Sequence, residues 1–489
     1  MRDQLFHLTP KLGITLQNQL RELLVSAILD GHIPAGTPLP SGRRLAEQLG
    51  VSRNTVVLAY QHLVDEGFLI SRERSGYYVN EEILAGRVPS PARPPIHTTG
   101  QPSWQARMQL KPSVQRNISK PRDWDKYPYP FIYGQFDPSL FPLSEWRDCC
   151  RQALSVVAVR DWLRDSIDAD DPLLVEQLHT RVLPRRGVWA SPEEILITVG
   201  AQQALFLISN LLMSQRSRVG LENPGYPDAR NIFAMRGAEL VPLAVDHDGL
   251  TIDERIGECD YAYVTPSHQF PTTATLPLTR RSELLALAAA RDTVLIEDDY
   301  EAETNFSGTP TPALKSLDSH NRVIYVGSLS KSLAPGLRLG YLIGPAELIR
   351  EARALRRLML RHPPTNNQRS IALFIARGHY DALLTRVNNA YSERWRATRA
   401  ALETQLPKVT VVPNQGGSAF WLSGPPGLDC RKLEAAAAEH GIIIEPGDVC
   451  FMDEDRPCRH FRIGVSSIPL DRIEPGIRAL AEVLKTVRS

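Results

Sequence analysis

The sequence predicts two domains of different class: a small winged helix-turn-helix of mixed α and β structure, followed by a large α/β domain with a mainly parallel sheet. Three helical patterns and a hairpin pattern fill the first 80 residues. From about residue 131 onward, short β-branched runs alternate with helical patterns. Between the two parts, residues 88–130 contain nine prolines and little hydrophobic periodicity. We therefore expect domains at 1–80 and 131–489, joined by a proline-rich linker over 81–130.

Composition and cysteine use narrow the class of protein. The chain has 489 residues, 43% of them hydrophobic, and a net charge of +1, so charge neither supports nor excludes nucleic-acid binding. Its start lacks the pattern of a signal peptide, and no apolar run approaches the ~20 residues that span a membrane. Six cysteines without zinc-site spacing predict no metal site and indicate a reducing compartment. We therefore expect a cytoplasmic protein.

The first 80 residues show the pattern of a helix-turn-helix with a wing. Apolar residues recur at helical spacing over 13–31, which predicts one buried stripe. Ser41 stands at the N-cap position of a second helix, and Ser52 stands at that of a third. Two strand patterns follow, with Ser75 and Gly76 in the turn between them. A hairpin directly after the third helix predicts a wing.

The polar residues of this domain lie where a DNA-binding protein needs them. Arg53, Asn54 and Thr55 occupy the first turn of the third helix, the part that enters a major groove. Arginine pairs with guanine there, and asparagine pairs with adenine. Four more arginines fall at the start of the second helix and on the wing, where phosphates would lie: Arg43, Arg44, Arg72 and Arg74. The alternative is a small helical domain with solvated arginines.

This stretch resembles the GntR family over residues 5–79. The matching residues are Leu39-Pro40-Ser41-Gly42-Arg43, Leu45-Ala46, Leu49-Gly50-Val51-Ser52-Arg53-Asn54-Thr55-Val56, Ala59-Tyr60, Leu63, Glu66-Gly67 and Gly76. By position, the resemblance implies contacts with double-stranded promoter DNA from Arg43, Ser52, Arg53, Asn54 and Thr55.

Two segments of the large domain place polar groups at the ends of predicted strands. The strand pattern 195–199 runs into a glycine that opens a helix, and free amides at a helix start bind anions. The pattern 294–296 ends in three acids and a tyrosine, at the edge where ligands of open α/β sheets bind. The residues concerned are Gly200, Ala201, Gln202, Glu297, Asp298, Asp299 and Tyr300. A carboxylate there suits a pyridinium nitrogen, whereas metal binding and plain solvation are the alternatives.

Two further segments carry a lysine and an arginine. Lys331 follows a strand pattern, with Ser328 and Ser330 before it and Arg338 seven residues after it. These groups suit a Schiff base beside a phosphate, although a lone lysine in this place is usually solvated. Arg462 lies in a β-rich run and points to the face opposite its two apolar neighbours. It would clamp a carboxylate in a bidentate pair, and the alternative is a structural salt bridge.

Taken together, residues 131–489 resemble the fold-type I aminotransferases, whose cofactor is pyridoxal 5'-phosphate. The motifs come in the right order, including Pro224-Gly225-Tyr226 and residues 265–272. The resemblance implies that Lys331 forms the internal aldimine and that Arg462 receives a carboxylate of the bound amino compound. It also implies that Asp298 pairs with the pyridine nitrogen, that Tyr300 bonds the ring hydroxyl and that Tyr226 stacks on the ring. The residues implied to bind the phosphate are Gly200, Ala201, Gln202, Ser328 and Arg338. Ser330 is also expected to lie at the cofactor.

A GntR-like winged helix followed by such a domain is the architecture of the MocR (GabR-like) regulators, which the chain resembles over nearly its whole length. That resemblance implies a homodimer of head-to-tail arrangement and a small amino compound as effector. One position departs from the aminotransferases, because Phe270 stands where they usually have an asparagine that bonds the ring hydroxyl. The loss of that bond favours a sensor over a fast enzyme.

Three functions follow from this comparison. In the first, which we expect, an amino compound releases Lys331 by forming an external aldimine with the cofactor, and this change alters the binding of the winged helices to an operator. In the second, the chain is an active aminotransferase with an accessory DNA-binding domain. In the third, it is a DNA-binding protein without a cofactor. The intact set of Lys331, Asp298, Tyr300 and Arg338 argues against the third.

Overall fold

The computed structural model of the chain describes residues 13–84, 102–301, 303–304, 306, 311–412, 416–453 and 458–487. Its contacts divide the chain between Arg107 and Met108 into two compact units. This division differs from the predicted domain limits, because residues 108–130 of the predicted linker belong to the larger unit. Residues 85–101, also part of that linker, lie outside the described residues.

The smaller unit contains the predicted helix-turn-helix and wing. Its helices are α1 (Leu16–Leu29), α2 (Gly42–Leu49), α3 (Arg53–Asp65) and the short α4 (Trp104–Arg107), and its strands are β1 (Leu69–Arg72) and β2 (Gly76–Val79). The two strands pair antiparallel and form the wing. Leu20, Leu24 and Ile28, which share one face of α1, are buried in the core of this unit. The predicted apolar stripe is therefore confirmed except at its first residue, Leu16, which is 40% exposed.

Two serines decide where the helices of the helix-turn-helix begin. The Ser41 side chain accepts a hydrogen bond from the backbone N–H of Arg44 at 3.3 Å, and that of Ser52 accepts one from Thr55 at 3.1 Å. Both predicted N-caps are confirmed. Helix α2 ends at Leu49, and the next residue, Gly50, has a φ of 65° in the left-handed region that favours glycine. This residue turns the chain from α2 toward α3.

The larger unit is built on strands and helices that alternate along the chain. Its strands are β3 (Tyr129–Pro130), β4 (Ile195–Thr198), β5 (Arg218–Asn223), β6 (Glu239–Asp246), β7 (Gly249–Leu250), β8 (Tyr261–Val264), β9 (Val294–Asp299), β10 (Val323–Ser328), β11 (Gly340–Ile343), β12 (Thr410–Val411), β13 (Ala419–Ser423), β14 (Ile442–Ile443), β15 (Glu445–Pro446) and β16 (His460–Gly464). Its helices are α5 (Leu143–Ala153), α6 (Val156–Trp162), α7 (Pro172–Gln177), α8 (Ala201–Leu212), α9 (Pro227–Ala234), α10 (Leu278–Arg291), α11 (Leu329–Ser332), α12 (Ala346–Leu360), α13 (Thr365–Ala376), α14 (His379–Gln405), α15 (Cys430–Glu439) and α16 (Leu470–Thr486). Within the described ranges, no helix is both long enough and apolar enough to cross a membrane.

The main sheet has eight strands in the order β4-β11-β10-β9-β8-β5-β6-β7. The pairs among β10, β9, β8, β5 and β6 are parallel, whereas β11 and β7 run antiparallel to their neighbours. The predicted mainly parallel sheet is therefore confirmed. A smaller antiparallel sheet, β12-β13-β16-β15, lies toward the C-terminus, and β14 pairs with β3.

Helices cover both faces of the main sheet, because its strands bury apolar side chains alternately on each side. On β8, Tyr263 joins the core beneath α8, α9 and α12, whereas Ala262 and Val264 join the core beneath α10. The smaller sheet packs on α14, α15 and α16 through a core of its own, to which Phe461 and Ile463 contribute. The carboxyl ends of the parallel strands remain open for a ligand.

The end of the predicted linker is held to the larger unit by specific contacts. Arg116 donates hydrogen bonds to the backbone carbonyls of Asp448 and Phe451, and its own carbonyl accepts one from Asn231 at 3.1 Å. Further along, β3 pairs with β14. Proline content predicts an extended chain here, but it does not reveal that the extended chain is fastened to distant residues.

Candidate functional site

One cavity at the carboxyl end of β9 and β10 brings together all ten residues that the sequence predicts at the cofactor. They are Gly200, Ala201, Gln202, Tyr226, Asp298, Tyr300, Ser328, Ser330, Lys331 and Arg338. Three more aromatic residues line the same cavity: Tyr133, Tyr263 and Phe270. The motifs lie far apart in the chain and meet because the parallel strands end at one edge of the sheet.

The three consecutive acids at the end of β9 have different surroundings. The strand extends through Asp299 instead of ending before the acids, so alternate side chains point to opposite faces. Glu297 accepts hydrogen bonds from the backbone N–H groups of Leu314 and Lys315, at 2.7 and 2.8 Å. Asp299 is buried and pairs with Arg186, as described below. Asp298 is the one of the three that lines the cavity.

Only one of the two carboxylate oxygens of Asp298 has a hydrogen-bond partner among the described residues. Its Oδ2 accepts a hydrogen bond of 2.8 Å from the hydroxyl of Tyr263, whereas its buried Oδ1 has no partner within the part of the chain that the structure describes. Burial raises the pKa of Asp298 to about 7, against the lowering effect of the Tyr263 hydrogen bond. A cationic N–H donor at Oδ1 would complete the site and stabilise the ionised form. The protonated nitrogen of a pyridine ring has this property.

The opposite end of the cavity is suited to an anion. Gly200 precedes α8 with a φ of 76°, and a Cβ there would lie 3.0 Å from Nη2 of Arg338. The glycine thus lets the guanidinium lie over the free amides that begin α8. Arg338 Nη2 also donates to Gln202 Oε1 at 3.4 Å. A phosphate group fits this combination of positive charge and backbone N–H donors.

The hydroxyl of Ser330 is already used within the protein. It donates to the carbonyl of Leu339 at 3.1 Å and accepts from the N–H of Leu339 at 3.0 Å. Arg338, the preceding residue, has a left-handed backbone with a φ of 49°. Ser330 therefore holds the turn that presents the Arg338 side chain.

Lys331 lies on the short helix α11 between two cavities, and its side chain is exposed to both of them. Protein surrounds these cavities, and this desolvation, together with the nearby positive charge of Lys120, lowers the pKa of Lys331 to about 8. A Cβ on Gly134 would come within 2.9 Å of its Nζ and 3.6 Å of Lys120 Nζ. A neutral amine is the nucleophilic form of lysine.

Phe270 is at the centre of an aromatic cluster. Its ring centroid lies 5.1 Å from that of Tyr226 and 6.1 Å from that of Tyr300. The hydroxyl of Tyr226 donates to Asp228 Oδ2 at 3.0 Å. Because the phenylalanine side chain has no polar group, Phe270 forms an apolar part of the cavity wall and offers no side-chain hydrogen bond to a ligand.

Arg462 has a partner that its sequence position does not reveal. Its Nε and Nη2 donate to Oε2 of Glu445 at 2.8 and 2.6 Å, and both residues are buried. Its Cζ lies 4.1 Å from the ring centroid of Tyr133 and 4.3 Å from that of Phe270. The alternation predicted for this strand is confirmed, since Phe461 and Ile463 lie in the core on the other side. The ion pair with Glu445 is a structural salt bridge, the alternative role that the sequence left open for Arg462.

Lys120 enters the same cluster from the segment that the sequence predicts to be linker. Its Nζ lies 3.2 Å from Oε1 of Glu445 and donates to the carbonyl of Tyr133. The sequence does not predict five of the residues found in this region: Lys120, Tyr133, Gly134, Tyr263 and Glu445. None of them belongs to a sequence motif that contains Lys331. The pair Tyr133-Gly134 is a weak signal of a turn.

A second cavity lies on the other side of Lys331. It shares Tyr133 with the first one and is also lined by Glu301, Asn388 and Ser466. One buried polar atom of each has no hydrogen-bond partner in the described ranges: Glu301 Oε2, Asn388 Oδ1 and Ser466 Oγ. Buried polar atoms are almost always paired, so these mark a place for a polar ligand or ordered water.

In the smaller unit, the residues expected at DNA lie at the start of α2 and α3. Arg53 and Asn54 are exposed. The hydroxyls of Ser52 and Thr55 are hydrogen-bonded to each other at 2.8 Å. Arg43 is exposed and lies 3.3 Å from Glu47. Among the described residues, none pairs with the side chains of Arg53 and Asn54, whereas Ser52 and Thr55 order the start of α3.

Comparisons with known proteins agree with both units. Residues 16–79 match the family of bacterial regulatory proteins called gntR, and residues 167–480 match the family called Aminotransferase class I and II. The second match alone covers more than half of the chain.

Regulatory proteins are similar to the chain over most of its length. The HTH-type transcriptional regulator TauR of Rhodobacter capsulatus is 42% identical over 98% of this chain and 99% of its own. The probable rhizopine catabolism regulatory protein MocR of Rhizobium meliloti is 30% identical over 97% of this chain and 95% of its own. The pyridoxine biosynthesis regulator PdxR of Corynebacterium glutamicum is 31% identical over 84% and 83%.

Among solved structures, aminotransferases match the larger part of the chain. The α-aminoadipate aminotransferase LysN of Thermus thermophilus, complexed with N-(5'-phosphopyridoxyl)-L-leucine, has a TM-score of 0.71 at 28% identity and covers 79% of this chain and 99% of its own. The kynurenine aminotransferase of Pyrococcus horikoshii has a TM-score of 0.72 at 27% identity and covers 78% and 98%. The fold and the cavity together indicate pyridoxal 5'-phosphate as the cofactor. The chain belongs to the MocR-type transcriptional regulators, in which a GntR-family DNA-binding domain is joined to a domain of the class I and II aminotransferases.

Proposed function

We propose that this regulator uses pyridoxal 5'-phosphate to sense a small amino compound and changes its binding to promoter DNA in response. The observation that carries the proposal is the cavity that holds Lys331, a half-satisfied Asp298 and the anion-binding end at Arg338, in a chain that also has a winged helix. An aminotransferase needs no winged helix, and a DNA-binding protein needs no such cavity.

Each end of the cavity has a part in holding the cofactor. We propose that Lys331 binds it covalently, that Asp298 pairs with its ring nitrogen, and that Tyr300 bonds its ring hydroxyl. Tyr226 packs on the ring. The phosphate is bound by Arg338, Ser328 and the start of α8 at Gly200, Ala201 and Gln202, with Ser330 holding the turn at Arg338.

The chemistry of the sensor is condensation with an amine. Pyridoxal 5'-phosphate supplies, when bound, an aldehyde carbon that reacts reversibly with primary amines. The chain contributes Lys331, whose lowered pKa of about 8 keeps part of its amine neutral near physiological pH. An effector amine therefore competes with the Lys331 amine for the same carbon.

The cavity on the other side of Lys331 supports an effector site. Its polar atoms on Glu301, Asn388 and Ser466, which have no partner in the described part of the chain, lie on residues that line the cavity together with Lys331. An effector that frees Lys331 from the cofactor would change the charge of the Lys331 amine and its contacts in this cavity. To shift a conformational equilibrium, the effector must bind one state of the protein better than the other by a few kcal/mol.

DNA binding is assigned to the start of α3, with Arg53 and Asn54 reading bases and Arg43 contacting phosphate. Ser52 and Thr55 contribute by ordering the helix start and lying against the backbone of the DNA. We further propose a homodimer, because operators are commonly read by pairs of winged helices. Its head-to-tail arrangement is proposed from the resemblance to the MocR-type regulators. A cytoplasmic location follows from DNA binding.

The second candidate is an active aminotransferase, and the complete set of cofactor-holding residues favours it. Phe270 argues for the sensor, since it removes a polar group from the cavity. Incubation of the purified protein with amines and a keto acid separates the two. A new absorption that persists without formation of a new amino acid supports the sensor, and turnover at ordinary enzyme rates supports the aminotransferase.

Two variants test the assignments. Replacing Lys331 by Ala should abolish the visible band that borohydride reduction removes, and a reducible band that survives would contradict covalent binding at Lys331. Replacing Arg53 by Ala should cost about 1–3 kcal/mol of specific DNA binding and leave the cofactor spectrum unchanged. If specific binding persists, α3 does not read the operator.

A further inference from the structure

Two cysteines of the larger unit lie side by side, away from the cofactor cavity. Cys430 is the first residue of α15, and Cys458 precedes β16. The backbone N–H of Cys430 donates to the carbonyl of Cys458 at 2.8 Å. With ordinary bond lengths, this contact keeps the two α-carbons within about 6.7 Å of each other, inside the range that a disulfide spans. The two thiols are also hydrogen-bonded to each other, so the side chains face one another.

The two thiols differ in their tendency to ionise. The Sγ of Cys458 lies 3.8 Å from Nδ1 of His460 and accepts a hydrogen bond from its backbone N–H at 3.4 Å. The hydrogen bond from Cys430 and these contacts with His460 lower the pKa of the Cys458 thiol, against the effect of burial. The same hydrogen bond, together with burial, raises the pKa of the Cys430 thiol. Cys458 is therefore the thiolate of the pair, and Cys430 keeps its proton.

A cavity exposes this pair to small molecules. Both cysteines line it, together with His460, Arg431 and Arg459. Among the described residues, none lines both this cavity and either of the two beside Lys331. Cys458 is only half-buried. A partly exposed thiolate near arginine and histidine side chains is the kind of cysteine that reacts with oxidants.

Other uses of cysteine fit this pair less well. A buried structural cysteine is inert, as Cys259 and Cys450 are, because burial raises the pKa of their thiols to about 11 and about 12. Paired thiols also bind zinc, but a zinc site needs further ligands at tetrahedral positions. Within the part of the chain that the structure describes, no group of three His, Cys, Asp or Glu side chains is arranged to hold a metal ion. Reversible oxidation is the use that remains.

We propose that Cys458 and Cys430 form a redox site that a hydroperoxide oxidises to a disulfide, and that Asp448 passes this change to the segment preceding β3. The Cys458 thiolate attacks one oxygen of hydrogen peroxide, the O–O bond breaks, and the other oxygen leaves as water after taking a proton. The sulfur is then a sulfenic acid. Cys430 attacks that sulfur and gives up its proton, and a second water leaves as the S–S bond forms. Two thiols are oxidised and one peroxide is reduced, and thiols of a reducing compartment reverse the change.

Asp448 connects the pair to the segment that follows the linker. The Sγ of Cys430 lies 3.9 Å from Oδ1 of Asp448, and Nε of Arg431 donates to its Oδ2 at 3.1 Å. The backbone carbonyl of Asp448 accepts a hydrogen bond from Arg116. A disulfide brings its two sulfurs to about 2.05 Å, so the contact of Cys430 with Asp448 must change when the bond forms. Oxidation therefore alters a residue to which Arg116 is attached.

A count of free thiols tests the oxidation. The full-length protein, loaded with pyridoxal 5'-phosphate, is treated with one equivalent of hydrogen peroxide and then unfolded in a thiol reagent. We expect the number of free thiols to fall from six to four and to return to six after treatment with dithiothreitol. Mass spectrometry of the peptides should show Cys430 linked to Cys458 in a chain that remains a monomer on a nonreducing gel. A disulfide between other cysteines, or between two chains, would overturn the proposal.

Three serine variants assign the two steps. Cys458→Ser should keep all of its thiols under the same treatment. Cys430→Ser should stop at a sulfenic acid on Cys458, which dimedone traps, so the two variants fail in different ways and misfolding cannot imitate both. Cys150→Ser is the matched control, since Cys150 is also half-buried but lies outside the pair, and it should still lose two thiols. Loss of two thiols from Cys458→Ser would contradict the assignment.

Hydrogen–deuterium exchange tests the connection through Asp448. Oxidation of the unaltered protein should increase the exchange of backbone amides in residues 112–120 about ten-fold, the value of one weakened charge-assisted hydrogen bond. The same treatment should leave this exchange unchanged in Cys458→Ser. Unchanged exchange in a protein that has formed the disulfide would show that Asp448 passes nothing to this segment. None of these measurements depends on amine sensing.

Discussion

The hydroxyl of Tyr263 donates a hydrogen bond of 2.8 Å to Oδ2 of Asp298 and leaves Oδ1 of the same carboxylate without a partner among the described residues. The tyrosine fixes the orientation of the carboxylate, while the second oxygen remains for a ligand. An aspartate with both oxygens satisfied by protein would have little affinity for a pyridinium nitrogen.

Replacement of Asp298 by Asn should therefore weaken binding of pyridoxal 5'-phosphate by about ten- to a hundred-fold, because a charged hydrogen bond contributes about 1.5–3 kcal/mol. Tyr263→Phe should have a smaller effect, since it removes only the orientation. Titration of the cofactor-free protein, followed by visible absorption, measures both. Asp292→Asn, at an exposed acid paired with Arg322, serves as control. Equal affinities for Asp298→Asn and the control would contradict the role given to Asp298.

The rate of cofactor loading should depend on pH through Lys331. Desolvation by the surrounding protein and the nearby Lys120 lower its pKa to about 8, and only the neutral amine attacks an aldehyde. Loading should therefore accelerate as the pH rises and level off above about 8. Lys120→Met removes a neighbouring like charge, which favours protonated Lys331, so the midpoint should move upward. A midpoint near 10.5, the ordinary value for lysine, would show that the site does not perturb this amine.

A methyl group at Gly134 should interfere with Lys331. The φ of Gly134 is +74°, and a Cβ there would lie 2.9 Å from Lys331 Nζ. Gly378 has nearly the same φ, +77°, with nothing within 4 Å of such a Cβ. Gly134→Ala and Gly378→Ala should thus lose similar stability, of about 1 kcal/mol, from the left-handed backbone. Only Gly134→Ala should also slow cofactor loading, and equal loading by both variants would contradict the close approach.

The buried ion pair of Arg186 with Asp299 should contribute more to the free energy of unfolding than the exposed pair of Arg291 with Glu254. Nε of Arg186 lies 2.8 Å from Oδ2 of Asp299, which also accepts from the Tyr325 hydroxyl at 2.8 Å, and both members of the ion pair are buried. Arg186→Met leaves a buried carboxylate without its counter-charge and should lower the free energy of unfolding by about 3–5 kcal/mol. Arg291→Met, at an exposed pair with Glu254, should change it by less than about 1 kcal/mol. Urea unfolding compares them.

Local features of the chain allowed most of the fold to be predicted. Ser41 and Ser52 cap helices because a side-chain oxygen three residues before a free N–H needs no help from distant residues. Gly200 and Lys331 could be placed at the cavity because the carboxyl ends of parallel strands always share one edge. Residues 108–130 were assigned to the linker because proline content reports the local backbone, whereas their attachment depends on contacts with residues such as Asn231 and Asp448.

The sequence by itself determined the two-domain organisation, the helix starts and the residues that follow each strand, since all of these depend on neighbours along the chain. The family resemblance picked out Asp298 among the three acids, and the tertiary structure explains the choice, because Glu297 and Asp299 do not line the cavity. Only the tertiary structure decided that Arg462 is already paired with Glu445. It also decided that Lys120 lies in that cluster. The reason is physical: burial and charge compensation are properties of a place in the fold, and more than 300 residues separate Lys120 from its partner Glu445.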